Sequence, residues 1–227
     1  MEQFDDLKNI LEKHPFILGG KKSTDMNVEA LGFSQYGLKN YKQQNYVDAI
    51  ADFTKAVNAQ PTNQNFYIWR GTAYEDMGND SEAAKNFTKA LQLSPEDYLA
   101  AFRLGMVYFR KQQFENAVNY LKVAFDNYPD LLLSQHIQLG SNNILFVHKK
   151  IIAGNLGNFL VQLSRYEEGI KYLSEAIKID PQYPNPIFAK GFALVQMGKP
   201  KEGILYIKKA AELGFPQAGM MLNQMRT

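Results

Sequence analysis

One spacing constrains this chain more than any other feature, a period of 34 residues. From Gly71, Tyr74, Ala83, Ala90 and Pro95, a step of 34 lands on Gly105, Tyr108, Ala117, Ala124 and Pro129. A step back from the same stretch lands on Gly37, Ala49, Phe53, Ala56 and Pro61. A fixed period of that size marks an array of stacked helical units. Within one unit, Tyr67, Gly71 and Tyr74 stand at i, i+4 and i+7, the spacing of one helix face, and Ala83, Phe87 and Ala90 repeat it. Small Gly71 and Ala83 let two helix backbones approach, with Tyr74 and Phe87 filling the space beside them. Gly78 to Ser81 reads as a helix stop, a turn and an N-cap, and Pro95 ends the unit. A single hairpin of this kind cannot bury its own apolar face, so neighbours must stack.

The period breaks once. Pro129 and Pro181 are 52 residues apart, one repeat plus 18. A fourth repeat then carries Ala153, Leu156, Gly157, Leu160, Gly169, Leu173 and Ala176, and a fifth carries Ile187, Gly191, Leu194, Gly203, Ile207 and Ala210. Gly154, Gly157 and Gly169 each lower the expected helix stability of the fourth repeat by about 1 kcal/mol. The extra residues, about 132–149, place β-branched and aromatic side chains around Gly140-Ser141-Asn142-Asn143, which reads as a β-hairpin. A short helix stopped at Gly140 is the competing reading. Phe4, Leu7, Ile10 and Leu11 put one apolar face on a helix over residues 3–13, and Ala218, Met221, Leu222 and Met225 do so near the C-terminus. Solenoid ends need such covers.

The residues at these repeat positions resemble the tetratricopeptide repeat (TPR) family, whose period is also 34. The resemblance covers most of the chain and implies an all-α, right-handed α-α superhelix of five helix pairs, with a capping helix at each end and one insert. The expected divisions are a capping helix and linker over 1–23 and a TPR domain over 24–227. Its repeats fall at about 30–63, 64–97, 98–131, 150–183 and 184–215, with the insert at 132–149 and a final helix at 216–227. The place of the insert is also similar to that in oxidase-activator TPR domains, where an insert helps bind a small GTPase.

Composition excludes more than it identifies. Net charge is +2 with both signs interspersed, which gives nucleic acid no basic footprint. No apolar run approaches the length of a membrane span, and acidic Met1-Glu2-Gln3-Phe4-Asp5-Asp6 lacks the pattern of a signal peptide. There are no cysteines, which fits a reducing compartment. The expectation is a cytoplasmic protein with no membrane and no nucleic-acid partner. His14, His136 and His148 show no ligand spacing, so neither a metal site nor any other cofactor is expected. No set of residues forms a nucleophile, a base and an orienting group. An enzyme is not expected and no catalytic residue is assigned.

The search for a binding site rests on the helix wheel. In each first helix, positions 2, 5, 9 and 12 lie on a stripe about 120° from the one that packs against the second helix. The TPR resemblance implies that this stripe lines a concave, peptide-holding groove. Its residues are Leu99, Phe102, Met106 and Phe109 with Arg110 beside them in the third repeat, then Ile151, Gly154, Asn158 and Val161. In the fifth repeat they are Asn185, Phe188, Phe192 and Val195. The first two repeats are more polar, with Ser34, Leu38 and Tyr41, then Asn65, Ile68, Thr72, Glu75 and Asp76. The expected groove residues are therefore Leu99, Phe102, Met106, Phe109, Arg110, Ile151, Asn158, Phe188 and Phe192.

The carboxylate clamp of chaperone-binding TPR proteins is not in place. Counted from the first repeat, its five positions fall on Ser34, Leu38, Trp69, Leu99 and Arg103, and only Arg103 has the required side chain; counted from the second none matches, and from the third only Asn155 does. Hsp70 and Hsp90 C-terminal peptides are accordingly unexpected partners. The function expected is a non-enzymatic scaffold for protein–protein interaction, holding an apolar peptide or amphipathic helix in its groove. The alternative is a GTPase-effector or complex-assembly module that binds through the insert. The identity of the partner is not legible.

Overall fold

The computed structural model describes residues 27–129 and 147–225, and every regular element among them is an α-helix. Helix α1 spans Val28–Lys42, α2 Tyr46–Ala59, α3 Gln64–Asp76, α4 Asp80–Leu93, α5 Tyr98–Arg110 and α6 Phe114–Asp126. After residue 146 follow α7 Lys149–Gln162, α8 Tyr166–Ile179, α9 Pro184–Gln196, α10 Pro200–Glu212 and α11 Pro216–Gln224. The helix expected over residues 3–13 and the hairpin expected around Gly140 lie outside the described residues. The chain divides into two compact units, and the boundary falls inside α5 between Val107 and Tyr108.

Each hairpin turns in the same way. Gln44, Gly78, Gln112, Ser164 and Gly198, which hold equivalent places in the five repeats, have φ of 62°, 74°, 59°, 58° and 76°. The next residue then sends its N–H back to a carbonyl five residues earlier, as in Asn45 to Tyr41's predecessor Asn40 and Asn79 to Tyr74. This satisfies a carbonyl that the helix end would leave open. Helix starts differ more. Asn27, Asn63 and Asn79 cap α1, α3 and α4 with their side chains, and Asp97 accepts from the Ala100 amide. Helices α9, α10 and α11 instead begin on proline, whose missing N–H would have had no partner there.

The close helix contact is built in two ways. In the first unit a Cβ placed on Gly37 or Gly71 would come within 2.5 or 2.7 Å of the Phe53 or Phe87 ring. Both rings are fully buried, so each lies flat in the notch its glycine leaves. In the second unit Leu173 and Ile207 replace those rings, and glycine stands on both helices. A Cβ on Gly191 would lie 2.7 Å from the Gly203 carbonyl, and one on Gly157 would lie 3.0 Å from that of Gly169. The backbones themselves make the contact. Gly157 and Gly169 are therefore required by packing, which offsets the helix propensity they give up. Gly154 differs, since its nearest neighbour for a Cβ is the Tyr183 ring at an ordinary 3.4 Å.

One ion-pair network in the second unit joins α6 to the start of α8, apart from the Lys150–Asp180 pair between α7 and the end of α8. Arg165 bonds Glu115 and Glu168 at 2.9 and 2.6 Å, and Lys122 bonds Glu168 at 2.5 Å. Lys122 and then Arg165 hold the Glu168 carboxyl below its ordinary range. These groups are largely solvated, so the network contributes under about 1 kcal/mol per pair. Its share of stability is present at neutral pH and lost as pH falls through the depressed pKa of Glu168.

Two glycines in one helix should respond oppositely to alanine. Gly157→Ala should destabilise by about 1–3 kcal/mol, because neither Leu173 nor the Gly169 backbone can withdraw. Gly154→Ala should stabilise by about 0.5–1 kcal/mol through helix propensity. Denaturant unfolding of the two variants measures both. At the turns, Gln112→Gly should stabilise by about 0.5 kcal/mol, since only glycine adopts that backbone without a steric penalty. An unchanged denaturation midpoint would contradict that account.

Candidate functional site

In the second unit, the inner stripe of α7 and α9 combines apolar side chains with a pair of carboxamides. Ile151, Asn158, Phe188, Phe192 and Val195 are each half-buried, while Gly154 and Val161 are buried. The Asn158 amide donates to the Asn185 side-chain oxygen at 2.5 Å, tying the two helices together across that stripe. Phe192 packs against Val161, Leu173, Ala189 and Ala193. Phe188 packs in the last cluster, with its ring 5.1 Å from that of Phe215 just before α11. Part of each ring thus supports the fold. Phe109 lies flat on Phe159, with ring centroids 4.0 Å apart, and tilts against Phe114. Arg110 ends α5 and is exposed.

In the first unit the corresponding stripe is more deeply covered. Leu99 and Phe102 of α5 are buried, with Phe102 only 9% exposed, whereas Met106 is half-buried. On α3, Asn65, Ile68 and Thr72 are buried too. Polar groups gather at the C-terminal end of this face. Tyr41 donates to Asp76, and burial followed by that bond pushes the phenol well above its ordinary range. Arg103 donates to Glu75 at 3.1 Å, with both side chains largely buried.

These contacts also bear on the clamp positions. Arg103, which alone matches the clamp in that frame, is engaged by a carboxylate of its own chain. Trp69 is buried with its ring 5.9 Å from Phe53 and 5.5 Å from Phe66, and its indole N–H has no hydrogen-bond partner. Helix wheels alone missed this burial. The signal was the run Phe66-Tyr67-Ile68-Trp69, which is too apolar for a helix with one open face.

Among the described residues, no group of His, Asp and Glu side chains is placed to hold a metal ion. His148 sits just before α7, and burial followed by the charge of Lys150 lowers its pKa. No described helix is long and apolar enough to cross a membrane.

Two family models match the sequence, one described as "Tetratricopeptide repeat" over residues 70–131 and one as "TPR repeat" over 157–198. The helix pairs, their spacing and both matches agree. The chain is a tetratricopeptide repeat protein. Among curated proteins it is similar to tetratricopeptide repeat protein 6 of Homo sapiens, at 23% identity over 67% of this TPR chain and 33% of that protein. The chain therefore spans about a third of the length of that relative. Among solved structures it resembles MamA, with TM-score 0.68 and 20% identity over 86% of this chain and 96% of that one. It also resembles YrrB, described as a TPR protein with an unusual peptide-binding site. There the TM-score is 0.69 and the identity 18%, over 87% of this chain and 92% of that one. At such identities the likeness is one of fold. Repeats of this family are those of a protein–protein interaction scaffold.

Burial separates what two substitutions should do. Phe102→Ala should lower unfolding free energy by about 3–5 kcal/mol, the scale of a buried phenylalanine. A thermal melt of the variant checks it. Trp69→Phe should fall near neutral, because removing the unpaired indole N–H offsets much of the lost area. A loss as large as that of Phe102→Ala would mean the indole is paired in solution.

Proposed function

We propose that this TPR chain is a non-enzymatic scaffold that holds an apolar peptide or amphipathic helix against the inner face of its second unit. The observation that carries the reading is the half-buried row of Ile151, Phe188, Phe192 and Val195 around the Asn158–Asn185 pair. The stripe itself carries no charged side chain, so a charged ligand group would be desolvated there with nothing to compensate it. An apolar side chain, by contrast, would gain from covering rings that are already partly immobilised by packing. Aromatic groups supply large contact area with little rotamer freedom to lose, which is why they are enriched at interfaces. The carboxamides can meet main-chain amides of either a peptide or a helix end. Peptide binding by the structurally similar YrrB is consistent with this use of the fold.

A partner captured from native cells and identified by mass spectrometry supplies the ligand for the decisive measurement. Ile151→Asp places a charge in the middle of the stripe at a residue that is only half-buried. Titration calorimetry should show affinity reduced at least tenfold, about 1.4 kcal/mol or more, with the melting temperature little changed. A captured partner that binds Ile151→Asp as tightly as the natural chain would overturn this site.

A further inference from the structure

The inner stripe of the second unit holds polar atoms that the fold itself leaves unused. The Asn158 amide donates to the Asn185 oxygen, which engages one end of each carboxamide. The other ends, Asn158 Oδ1 and Asn185 Nδ2, make no hydrogen bond among the described residues, and both reach the surface. Tyr183, the residue before α9, brings a third such group. Its ring lies over Gly154, where a Cβ would stand 3.4 Å from Tyr183 Cε1 and 4.0 Å from the hydroxyl oxygen. The Lys150 ammonium lies 5.9 Å from the centroid of that ring and bonds Asp180 at 2.8 Å, so its charge is engaged within the unit. The Tyr183 hydroxyl has no hydrogen-bond partner among the described residues.

The spacing of these groups selects one kind of ligand. Gly154 and Asn158 are four residues apart on α7, about 6 Å along its axis. An extended chain presents main-chain groups to one side at every second residue, about 6.6 Å apart. The two spacings agree. A helix offers nothing comparable along its length, because its N–H and C=O groups are bonded to one another. Laid over this stripe, it would take water from all three polar groups and return no partner, which opposes binding. It could meet them only with polar side chains, and these would interrupt its apolar face.

We propose that the occupant of this site is an extended peptide segment with apolar side chains, held in register by its main chain. One peptide N–H donates to Asn158 Oδ1, one peptide carbonyl accepts from Asn185 Nδ2, and a main-chain group two residues away meets the Tyr183 hydroxyl. The proposal rests on the peptide site assigned above and chooses between its two kinds of occupant. The main chain is common to all sequences, so the carboxamides and Tyr183 fix register, while Ile151, Phe188 and Phe192 select the side chains.

The probe is a synthetic peptide of about twelve residues, chosen for tight binding from a displayed library of random linear sequences. Its loss of affinity for Ile151→Asp establishes that it uses this stripe. Each main-chain amide of the peptide is then replaced in turn by an ester, which removes the N–H and keeps the shape. One replacement should weaken binding to the natural chain about fivefold, the scale of one hydrogen bond. That loss should vanish against Asn158→Leu, whose side chain has nearly the same shape and no acceptor. Tyr183→Phe should weaken the unmodified peptide about threefold, with the melting temperature unchanged. Three outcomes overturn the extended mode and leave the site in place: a labelled peptide that NMR shows bound as a helix, ester losses that are equal against the natural chain and Asn158→Leu, or full affinity for Tyr183→Phe. A library that yields no peptide weakened by Ile151→Asp overturns the site itself, and this inference with it.

Discussion

Everything in this fold depends on how closely the two helices of a hairpin approach. A side chain larger than hydrogen at Gly37, Gly71, Gly157 or Gly191 would collide with its partner helix, so these glycines hold the hairpins shut. The first unit meets the constraint with a ring: Phe53 and Phe87 lie in the notch and are completely buried. The second unit meets it with a second glycine and a smaller aliphatic side chain. Both solutions satisfy the same geometry, but they distribute volume differently. Where a ring fills the notch, the hairpin is a local core. Where two backbones touch, the aliphatic side chain in the notch joins a wider cluster, as Ile207 does with Ile187, Ala210 and Ala218.

That difference bears on where a ligand can sit. In the second unit, Phe188 and Phe192 serve both purposes, with one part of each ring inside a cluster and another part open. Rings held this way lose little freedom when a partner covers them. Among the described residues of the first unit, the stripe holds no half-buried phenylalanine, and its half-buried tyrosine, Tyr41, is bonded to Asp76. The polar groups of this face are used internally, with Arg103 against Glu75 and Tyr41 against Asp76. The two halves of the repeat array thus present different chemistry on equivalent stripes.

The fold was legible because a 34-residue period involves many residues at once, and no single substitution hides it. The helix pairs, the glycine notches and the break after Pro129 could all be read from it. The inner stripe was legible as a geometric position on each helix, but not as a measure of exposure. Phe102 and Phe192 hold stripe positions in their repeats, yet one is buried and the other half-buried. Exposure depends on side chains far away in sequence, and a helix wheel contains no such information. Internal pairings were illegible for the same reason, since Arg103 looks like a free cation until Glu75 is placed beside it. The glycines of the fourth repeat looked like weaknesses because their contacts across the hairpin could not be seen.

The turns have one further implication. At Gln44, Gly78, Gln112, Ser164 and Gly198, main-chain hydrogen bonds close each hairpin, and all five residues are exposed. Glutamine, serine and glycine all occur at this place, so no particular side chain is required there even though glycine fits the backbone best. The hairpin tips can therefore accept new chemical groups, such as a dye, a tether or a charge, while the helices behind them keep their registration.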